Sequence, residues 1–169
     1  MERSFCLTTP VGPVTVAATD EAVTAVRFGA FGSAFEVEEK LPPLLRQAVG
    51  ELREYFAGTR RRFTLPLAPA GTPFQQQVWD ALRRIPYGET RTYGEIAAQI
   101  GRPKACRAVG MANNRNPIAI VVPCHRVVGA SGALVGYAAG LPVKETLLRL
   151  EAAFSLSSTP KPRNRAGRR

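Results

Sequence analysis

A cysteine and a histidine lie side by side in the aliphatic run VVPCHRVV at residues 121–128, and His125 is the only histidine of the chain. A thiol attacks as the thiolate, which needs a nearby base or positive charge. His125 could take the thiol proton directly or through a water, and Arg126 would add positive potential. Neighbours on a strand point to opposite faces, but Pro123 predicts a sharp turn in which the two side chains converge. The pattern indicates a nucleophilic Cys124, with a buried structural cysteine as the alternative.

A third group would complete this chemistry, because a histidine that acts as a base usually needs an acceptor on its other ring nitrogen. Glu151 is the candidate, since it ends the helical pattern PVKETLLRLE. A triad of cysteine, histidine and glutamate is one interpretation of these residues. A solvent-exposed helical glutamate is the other.

The two remaining cysteines, Cys6 and Cys106, are interpreted as structural. The three cysteines are odd in number, widely spaced and without a CxxC pair, which argues against a disulfide framework and favours a reducing compartment. One histidine and three scattered thiols also make a zinc site hard to build. We therefore expect neither a disulfide nor a bound metal.

The positive charge is concentrated toward the C-terminal end of the 169-residue chain, whose formal net charge is +10. Residues 1–70 carry eight basic and eight acidic side chains, residues 71–154 carry ten and five, and residues 155–169 carry five and none. A polyanionic partner would therefore bind the C-terminal part, although solubility alone could explain the charge. No run of 18 apolar residues and no signal-peptide pattern occurs, which predicts a cytoplasmic protein without a membrane span.

The first 70 residues predict a small α+β unit. Residues 3–28 alternate apolar and small polar residues between two turns, which indicates an antiparallel meander. Residues 41–57 have the spacing of an amphipathic helix, and residues 61–67 are interpreted as another strand. The loop 67–74 changes composition, so we place a boundary there between domains 1–70 and 71–154. The tail 155–169 has almost no apolar side chains and is expected to be disordered.

The second domain begins with a pattern typical of a helix-turn-helix. A helix over 73–84, with Thr72 as its N-cap, precedes TYGEIAAQIG, in which Thr92 and Glu95 predict a capping box. A further helix is predicted from Pro103 through KACRAVGMA, with the charges Lys104 and Arg107 among the small side chains of Ala105, Cys106, Ala108, Gly110 and Ala112. Small side chains let a backbone approach a nucleic acid closely, although they would equally suit tight packing against another helix.

Three segments of this sequence resemble the O6-alkylguanine-DNA alkyltransferases. They are IPYGETRTYGEIA, RPKACRAVGMANN and NPIAIVVPCHRV, and the resemblance continues through VGYAAG and PVKETLLRLE, so that it runs without a visible gap over about residues 72–152. PCHR within these flanking residues is highly specific for the family. The resemblance implies an α+β fold, with a ribonuclease H-like N-terminal layout of small antiparallel sheet and helix. It also implies a mostly helical C-terminal domain with a winged-helix-like helix-turn-helix.

The resemblance implies a role for each residue of the motif in a reaction that needs no cofactor. Cys124 would be the acceptor thiolate, His125 would deprotonate it through a water, and Glu151 would orient the imidazole. Asn116 would brace the turn, and Tyr93 would press on a phosphate and donate a proton as guanine leaves. The protein would be consumed in one turnover, because water does not hydrolyse the S-alkyl thioether that forms.

The resemblance also implies a partner, double-stranded DNA that carries O6-alkylguanine and is bound through its minor groove by a monomer. Arg107 would fill the place of the flipped base. Other residues implied in DNA contact are Gln75, Tyr93, Gly94, Arg102, Lys104 and Ala105. The implied substrate pocket consists of Ala119, Val135, Gly136, Tyr137 and Ala138. Small side chains, Ala119 in this pocket and Ala139 beside it, favour a roomy site, and O4-alkylthymine and cooperative DNA binding are open alternatives.

Two other classes of function remain possible on the residues alone. A lesion sensor or plain helix-turn-helix protein would bind DNA without chemistry, but Cys124 argues against a sensor that lacks the nucleophile. A thiol hydrolase or redox enzyme would use the same cysteine over many turnovers. The number of groups transferred per chain separates these classes from a protein that acts once.

Overall fold

Three antiparallel strands open the fold, in the computed structural model that describes residues 1–156. They are β1 (Arg3–Thr9), β2 (Gly12–Ala18) and β3 (Val23–Phe28), arranged in the order β1-β2-β3. The predicted meander is confirmed. The alternating pattern places the apolar side chains of β1 and β2 in the core, as in the opposed pair Leu7 and Val14.

Helix α1 (Pro43–Phe56) covers this sheet and lies within the predicted range 41–57. Its apolar side chains recur at helical spacing, and the buried ones include Leu45, Ala48, Val49, Leu52 and Tyr55. Because these positions form one stripe, the helix buries a single face against the strands.

The strand predicted over residues 61–67 is wrong. This segment forms one isolated bridge, in which the Val23 N–H donates to the Pro66 carbonyl at 2.8 Å and the Ala68 N–H donates to the Val23 carbonyl at 2.9 Å. Pro66 has no N–H with which to extend a ladder. The next part of the β3 edge is occupied differently, because Val26 pairs there with the segment around Ile118.

The second half of the chain begins with three helices, α2 (Pro73–Arg83), α3 (Tyr93–Gln99) and α4 (Cys106–Asn114). The predicted helix-turn-helix corresponds to α3 and α4. The Thr72 side chain caps α2 and the Thr92 side chain accepts a hydrogen bond from the Glu95 N–H, as predicted. The Trp79 indole donates to the Ala112 carbonyl at 2.9 Å, which ties α2 to α4. A short parallel pair, β4 (Arg91–Thr92) and β5 (Val127–Val128), joins the start of α3 to the segment of Cys124.

Helix α4 begins three residues later than the predicted start at Pro103. Residues 102–105 form a turn instead, in which the Ala105 N–H donates to the Arg102 carbonyl at 2.9 Å. Gly101, with a φ of +77°, ends α3 in the left-handed conformation and directs the chain into this turn. Lys104 and Ala105 therefore precede α4 rather than lie within it.

The last helix, α5 (Leu141–Leu156), packs against the turn that contains Cys124. Ser155 and Leu156 belong to this helix, so the prediction of disorder is wrong for these two residues, and residues 157–169 of the predicted tail lie outside the described part of the chain. Within residues 1–156, no helix has the length and apolar character that a membrane crossing requires.

The two halves of the chain share backbone hydrogen bonds beside the site. The Val26 N–H of β3 donates to the Pro117 carbonyl at 2.9 Å, and the Ala119 N–H donates to the Val26 carbonyl at 3.1 Å. One buried apolar cluster also includes residues of both halves. The sheet therefore supports the segment that leads to Cys124.

Candidate active site

Cys124 lies in a tight turn rather than in a strand. After Pro123, residues Cys124–Arg126 form a single turn of 3-10 helix, and the chain reaches extended geometry only at Val127. Before it, Ile120 takes a positive φ of 71°, a conformation that is strained for a β-branched residue. The predicted turn at Pro123 is therefore present. In this turn the side chains of Cys124 and His125 do not alternate between two faces, as they would in a strand.

Two asparagines hold this turn by its backbone. The Asn116 amide donates to the Val122 carbonyl at 2.8 Å and accepts from the Ile118 N–H at 3.0 Å. Asn113, buried in α4, donates to the Cys124 carbonyl at 3.3 Å. The brace expected from Asn116 is in place, whereas Asn113 was missed. Its signal in the sequence was a polar residue on the buried face of a helix.

The structure brings His125 and Glu151 together. The imidazole Nε2 lies 2.6 Å from the Glu151 Oε2, and the two side chains are 0% and 1% exposed. The helical glutamate is therefore buried beside the histidine, and the solvent-exposed alternative is excluded.

The Glu151 carboxylate accepts further hydrogen bonds that the sequence did not suggest. The Arg126 guanidinium donates to it at 2.7 and 3.1 Å, and the Tyr55 hydroxyl donates from helix α1 at 2.6 Å. Burial alone would raise the pKa of the Glu151 carboxyl, but the pairing with His125 and Arg126 outweighs burial and holds that pKa well below its usual range. Glu151 is a buried anion with every neighbour arranged to favour its charge.

The thiol and the imidazole are both driven toward their neutral forms. Burial raises the pKa of Cys124, although Asn116, Tyr137 and Lys144 partly oppose that rise. Burial lowers the pKa of His125 despite the nearby Glu151 charge. The His125 Nδ1 is buried and has no hydrogen-bond partner within residues 1–156. Residues 124 and 125 thus combine a thiol that favours its protonated form with a neutral imidazole that has one buried ring nitrogen without a hydrogen-bond partner in residues 1–156.

Cys124 opens onto a cavity of about 250 Å³. Of the expected pocket residues, Ala119, Tyr137 and Ala138 line it, and Ala139 lines it as well. The Tyr137 hydroxyl lies 3.9 Å from the Cys124 Sγ. The remaining wall comes from helix α4, Asn116 and the N-terminal half.

Val135 and Gly136, the other two expected pocket residues, do not line this cavity. They belong to its lid, the segment 135–140, which also contains the lining residues Tyr137, Ala138 and Ala139. The Lys144 ammonium donates to the Val127 carbonyl at 2.5 Å and to the carbonyls of Val135 and Gly136 at 3.3 Å each. The Tyr93 hydroxyl also donates to the Val135 carbonyl at 3.3 Å. Lys144, a fully buried cation that the sequence reasoning missed, therefore ties residues 135–136 to β5.

The residues expected to contact DNA form an exposed surface around α3 and α4, except for Gln75 at the start of α2. Arg107, Gly94, Arg102 and Lys104 are exposed and Ala105 is half-buried. Helix α4 buries Val109 and Ala112 on its inner face and exposes Ala108 beside Arg107. The Gln75 side chain accepts a hydrogen bond from the Thr72 N–H within the α2 capping box, at 2.9 Å.

Known proteins share this architecture over almost the whole chain. The family model described as 6-O-methylguanine DNA methyltransferase, ribonuclease-like domain, matches residues 5–69, and that described as 6-O-methylguanine DNA methyltransferase, DNA binding domain, matches residues 73–153. A methylated-DNA–protein-cysteine methyltransferase from Methanosarcina acetivorans is 54% identical over 147 residues, which are 85% of this chain and 94% of the relative.

Relatives from two bacteria agree. A constitutive methylated-DNA–protein-cysteine methyltransferase from Bacillus subtilis is 47% identical over 150 residues, covering 85% of this chain and 91% of its own length. The crystal structure of Mycobacterium tuberculosis O6-methylguanine methyltransferase has a TM-score of 0.80 at 46% identity, covering 96% of this chain and 97% of the other. A structure of the M. tuberculosis protein in complex with DNA has a TM-score of 0.79 at 47% identity, covering 90% and 93%. This chain therefore belongs to the 6-O-methylguanine DNA methyltransferase family.

Proposed function

We propose that this protein repairs DNA by transferring the alkyl group of O6-alkylguanine irreversibly to Cys124. The observation that carries the proposal is a buried thiol that opens onto a cavity and has a histidine–glutamate pair behind it. Membership of the methyltransferase family supports the same chemistry.

The transfer is a displacement at carbon. The Cys124 Sγ forms a bond to the alkyl carbon while the bond from that carbon to guanine O6 breaks, and the electron pair passes to the guanine. A proton then neutralises the base, and Tyr93, at the cavity lid, is proposed to donate it. The product is a thioether, which water does not cleave, so each chain reacts once.

His125 is the proposed base for the thiol proton. Its Nε2 is held by Glu151 at 2.6 Å, so the ring nitrogen left for the proton is Nδ1, which is buried and accepts no hydrogen bond from residues 1–156. A water could relay the proton from the Cys124 Sγ to Nδ1. Glu151 then stabilises the imidazolium that forms, as the acidic member of a triad does.

DNA is proposed to bind across α3 and α4, with α4 as the helix that enters the minor groove. The alkylated oxygen is inaccessible inside a duplex, so the nucleotide must leave the stack. Arg107 is exposed on α4 and is proposed to take its place. Gly94 and Ala105 would let the backbone approach the phosphates, and the Lys104 ammonium would contact them. Affinity would then fall steeply with salt and depend little on sequence.

The other proposals concern organisation. We propose two units, 1–70 and 71–154, a monomer in solution, and a cytoplasmic location where the DNA substrate is found. The residues assigned to the pocket, Ala119, Tyr137 and Ala138 with Val135 and Gly136 in its lid, stay proposals as a substrate site. Cooperative binding to DNA would give a sigmoidal binding isotherm, which a model of independently binding monomers does not fit.

A duplex with radiolabelled O6-methylguanine tests the function directly. The protein should gain at most one label per chain, with unmodified guanine left in the DNA. Cys124→Ala should take up no label and still bind the duplex. Label on Cys124→Ala would overturn the assignment of the acceptor, and repeated turnover would indicate a hydrolase instead.

A further inference from the structure

The N-terminal half forms an apolar wall of the cavity that contains Cys124. Val26, Arg27, Phe28 and Phe31 all line it. The Phe28 ring packs edge-on against Tyr137 on the opposite side, with ring centroids 6.0 Å apart and planes at 67°. The cavity is therefore not a product of the helix-turn-helix half alone.

Phe31 is 63% exposed, although a phenylalanine is normally buried. Two hydrogen bonds fix the backbone of this residue. The Phe31 N–H donates to the Thr15 hydroxyl at 3.1 Å, and that hydroxyl donates to the Gly29 carbonyl at 2.7 Å. Thr15 is itself buried in β2, so one side chain of the sheet holds both ends of the turn. The Thr15 contacts hold the Phe31 backbone beside the cavity, where its exposed ring is available to a group that enters.

Gly29 lets the ring fold back over this turn. Its φ of +122° is unfavourable for other residues, and a Cβ at this position would lie 2.9 Å from the Phe31 ring. Glycine therefore serves two purposes here, the backbone conformation and the close approach of the ring. Both direct Phe31 toward the cavity.

We propose that Phe31, with Phe28 behind it, is a specificity-determining wall that contacts the O6 substituent of the lesion and favours large apolar groups such as benzyl over methyl. This inference rests on the proposed alkyl transfer to Cys124. A methyl group is too small to reach both the thiol and the wall, whereas an aromatic substituent can stack on or pack against the Phe31 ring. The small side chains of Ala119 and Ala139 leave space for it on the facing side.

The test compares two duplexes of the same sequence, one with O6-methylguanine and one with O6-benzylguanine. Intact-protein mass spectrometry gives the second-order rate constant for alkylation of each variant. Phe31→Ala should lower the ratio of the benzyl to the methyl rate constant by about fivefold, because the contact exists for the larger group alone. Phe31→Leu, which keeps an apolar side chain, should lower it less.

Phe35→Ala is the matched control, since Phe35 lies in the same segment, packs against the core and does not line the cavity. Its ratio should equal that of the parent protein. An unchanged ratio for Phe31→Ala, or a faster benzyl reaction that would make Phe31 a barrier, overturns the proposal. If neither duplex alkylates the parent protein, the proposed function itself has failed. That result differs from an unchanged ratio and from a faster benzyl reaction, both of which concern Phe31 alone.

Discussion

Two neighbouring regions of the molecule carry the same residue types in opposite surroundings. Cys106 and Arg107 open helix α4 and are exposed, and Arg107 forms no ion pair with any residue of the described part of the chain. Cys124 and Arg126 lie in one buried turn, where the guanidinium pairs with Glu151 at 2.7 Å. A cysteine and an arginine close together in the sequence therefore have no fixed role in this chain.

The difference follows from what surrounds the charge. In water, an exposed arginine keeps its hydration and remains available to a phosphate or a base stack. In the buried turn, a charge is stable only when it is paired and hydrogen-bonded, so Arg126 serves to hold Glu151. The buried region holds the proposed chemical groups, and the exposed region is the one proposed to bind DNA.

Glu151→Gln should break the buried region most severely. The change removes the carboxylate charge and leaves the Arg126 guanidinium buried without its counter-ion, which costs about 3–5 kcal/mol of unfolding free energy. Transfer should fall strongly because the imidazolium that forms on His125 loses the negative charge that stabilises it. Thermal or denaturant unfolding and the alkylation rate measure the two effects. Glu145→Gln is the control, because Glu145 is exposed on the same helix and pairs with Arg149. It should change stability by less than about 0.5 kcal/mol.

The pH profile separates the two regions without a mutation. Burial lowers the pKa of His125 below its ordinary value, so the imidazole is neutral at neutral pH, and burial raises the pKa of Cys124 above its ordinary value, so the thiol is protonated there. Because proton transfer within this neutral pair does not change the total charge, the alkylation rate should be level between the two pKa values. On the acid side, protonation of His125 should lower the rate about tenfold per pH unit. A thiolate working alone would instead show a rate that rises throughout the range.

DNA binding by Cys124→Ala gives the comparison for that profile. Histidine is absent from the proposed binding surface, so affinity for a duplex should not follow the acid limb of the rate. A parallel fall of affinity and rate would mean that one region controls both.

Arg107→Ala should impair the function of the exposed region and leave the buried region unchanged. We expect about a tenfold slower reaction with O6-alkylguanine in a duplex and a smaller loss with free O6-benzylguanine, because a side chain that fills the stack matters only when a base must leave it. Arg149→Ala, an exposed arginine of α5, should leave both rates near those of the parent protein. Equal losses on the duplex and the free base would contradict the role of Arg107.

Tyr55→Phe should have the smallest effect on the rate of transfer, and it tests how far the N-terminal half reaches into the buried region. The change removes one hydrogen bond to the Glu151 carboxylate, which is expected to cost about 1.5–3 kcal/mol of unfolding free energy and to slow transfer modestly. Tyr87→Phe is the matched control, because the Tyr87 hydroxyl is buried nearby without a hydrogen-bond partner in residues 1–156. If both variants behave alike, Tyr55 acts by packing rather than through Glu151.

The local features of the fold were predictable from short-range chemistry. Thr72 capping α2, the turn at Pro123 and the meander over residues 3–28 each depend on residues that are close in sequence, and each is present in the structure. The strand over 61–67 failed because a strand needs a partner edge, and β3 offers that segment only one bridge. The start of α4 failed because the residues after Gly101 form a turn.

The sequence by itself determined the family and the residues of the motif, since PCHR within its flanking pattern is specific enough to identify them. It could not decide whether Glu151 reaches His125, because the two are separated by 26 positions and meet only when α5 packs on the turn. The roles of Tyr55 and Phe31 could not be predicted from the sequence for the same reason. Their roles arise where the sheet and helix of the first half meet the second half, and such contacts depend on the packing of elements that are distant in the chain.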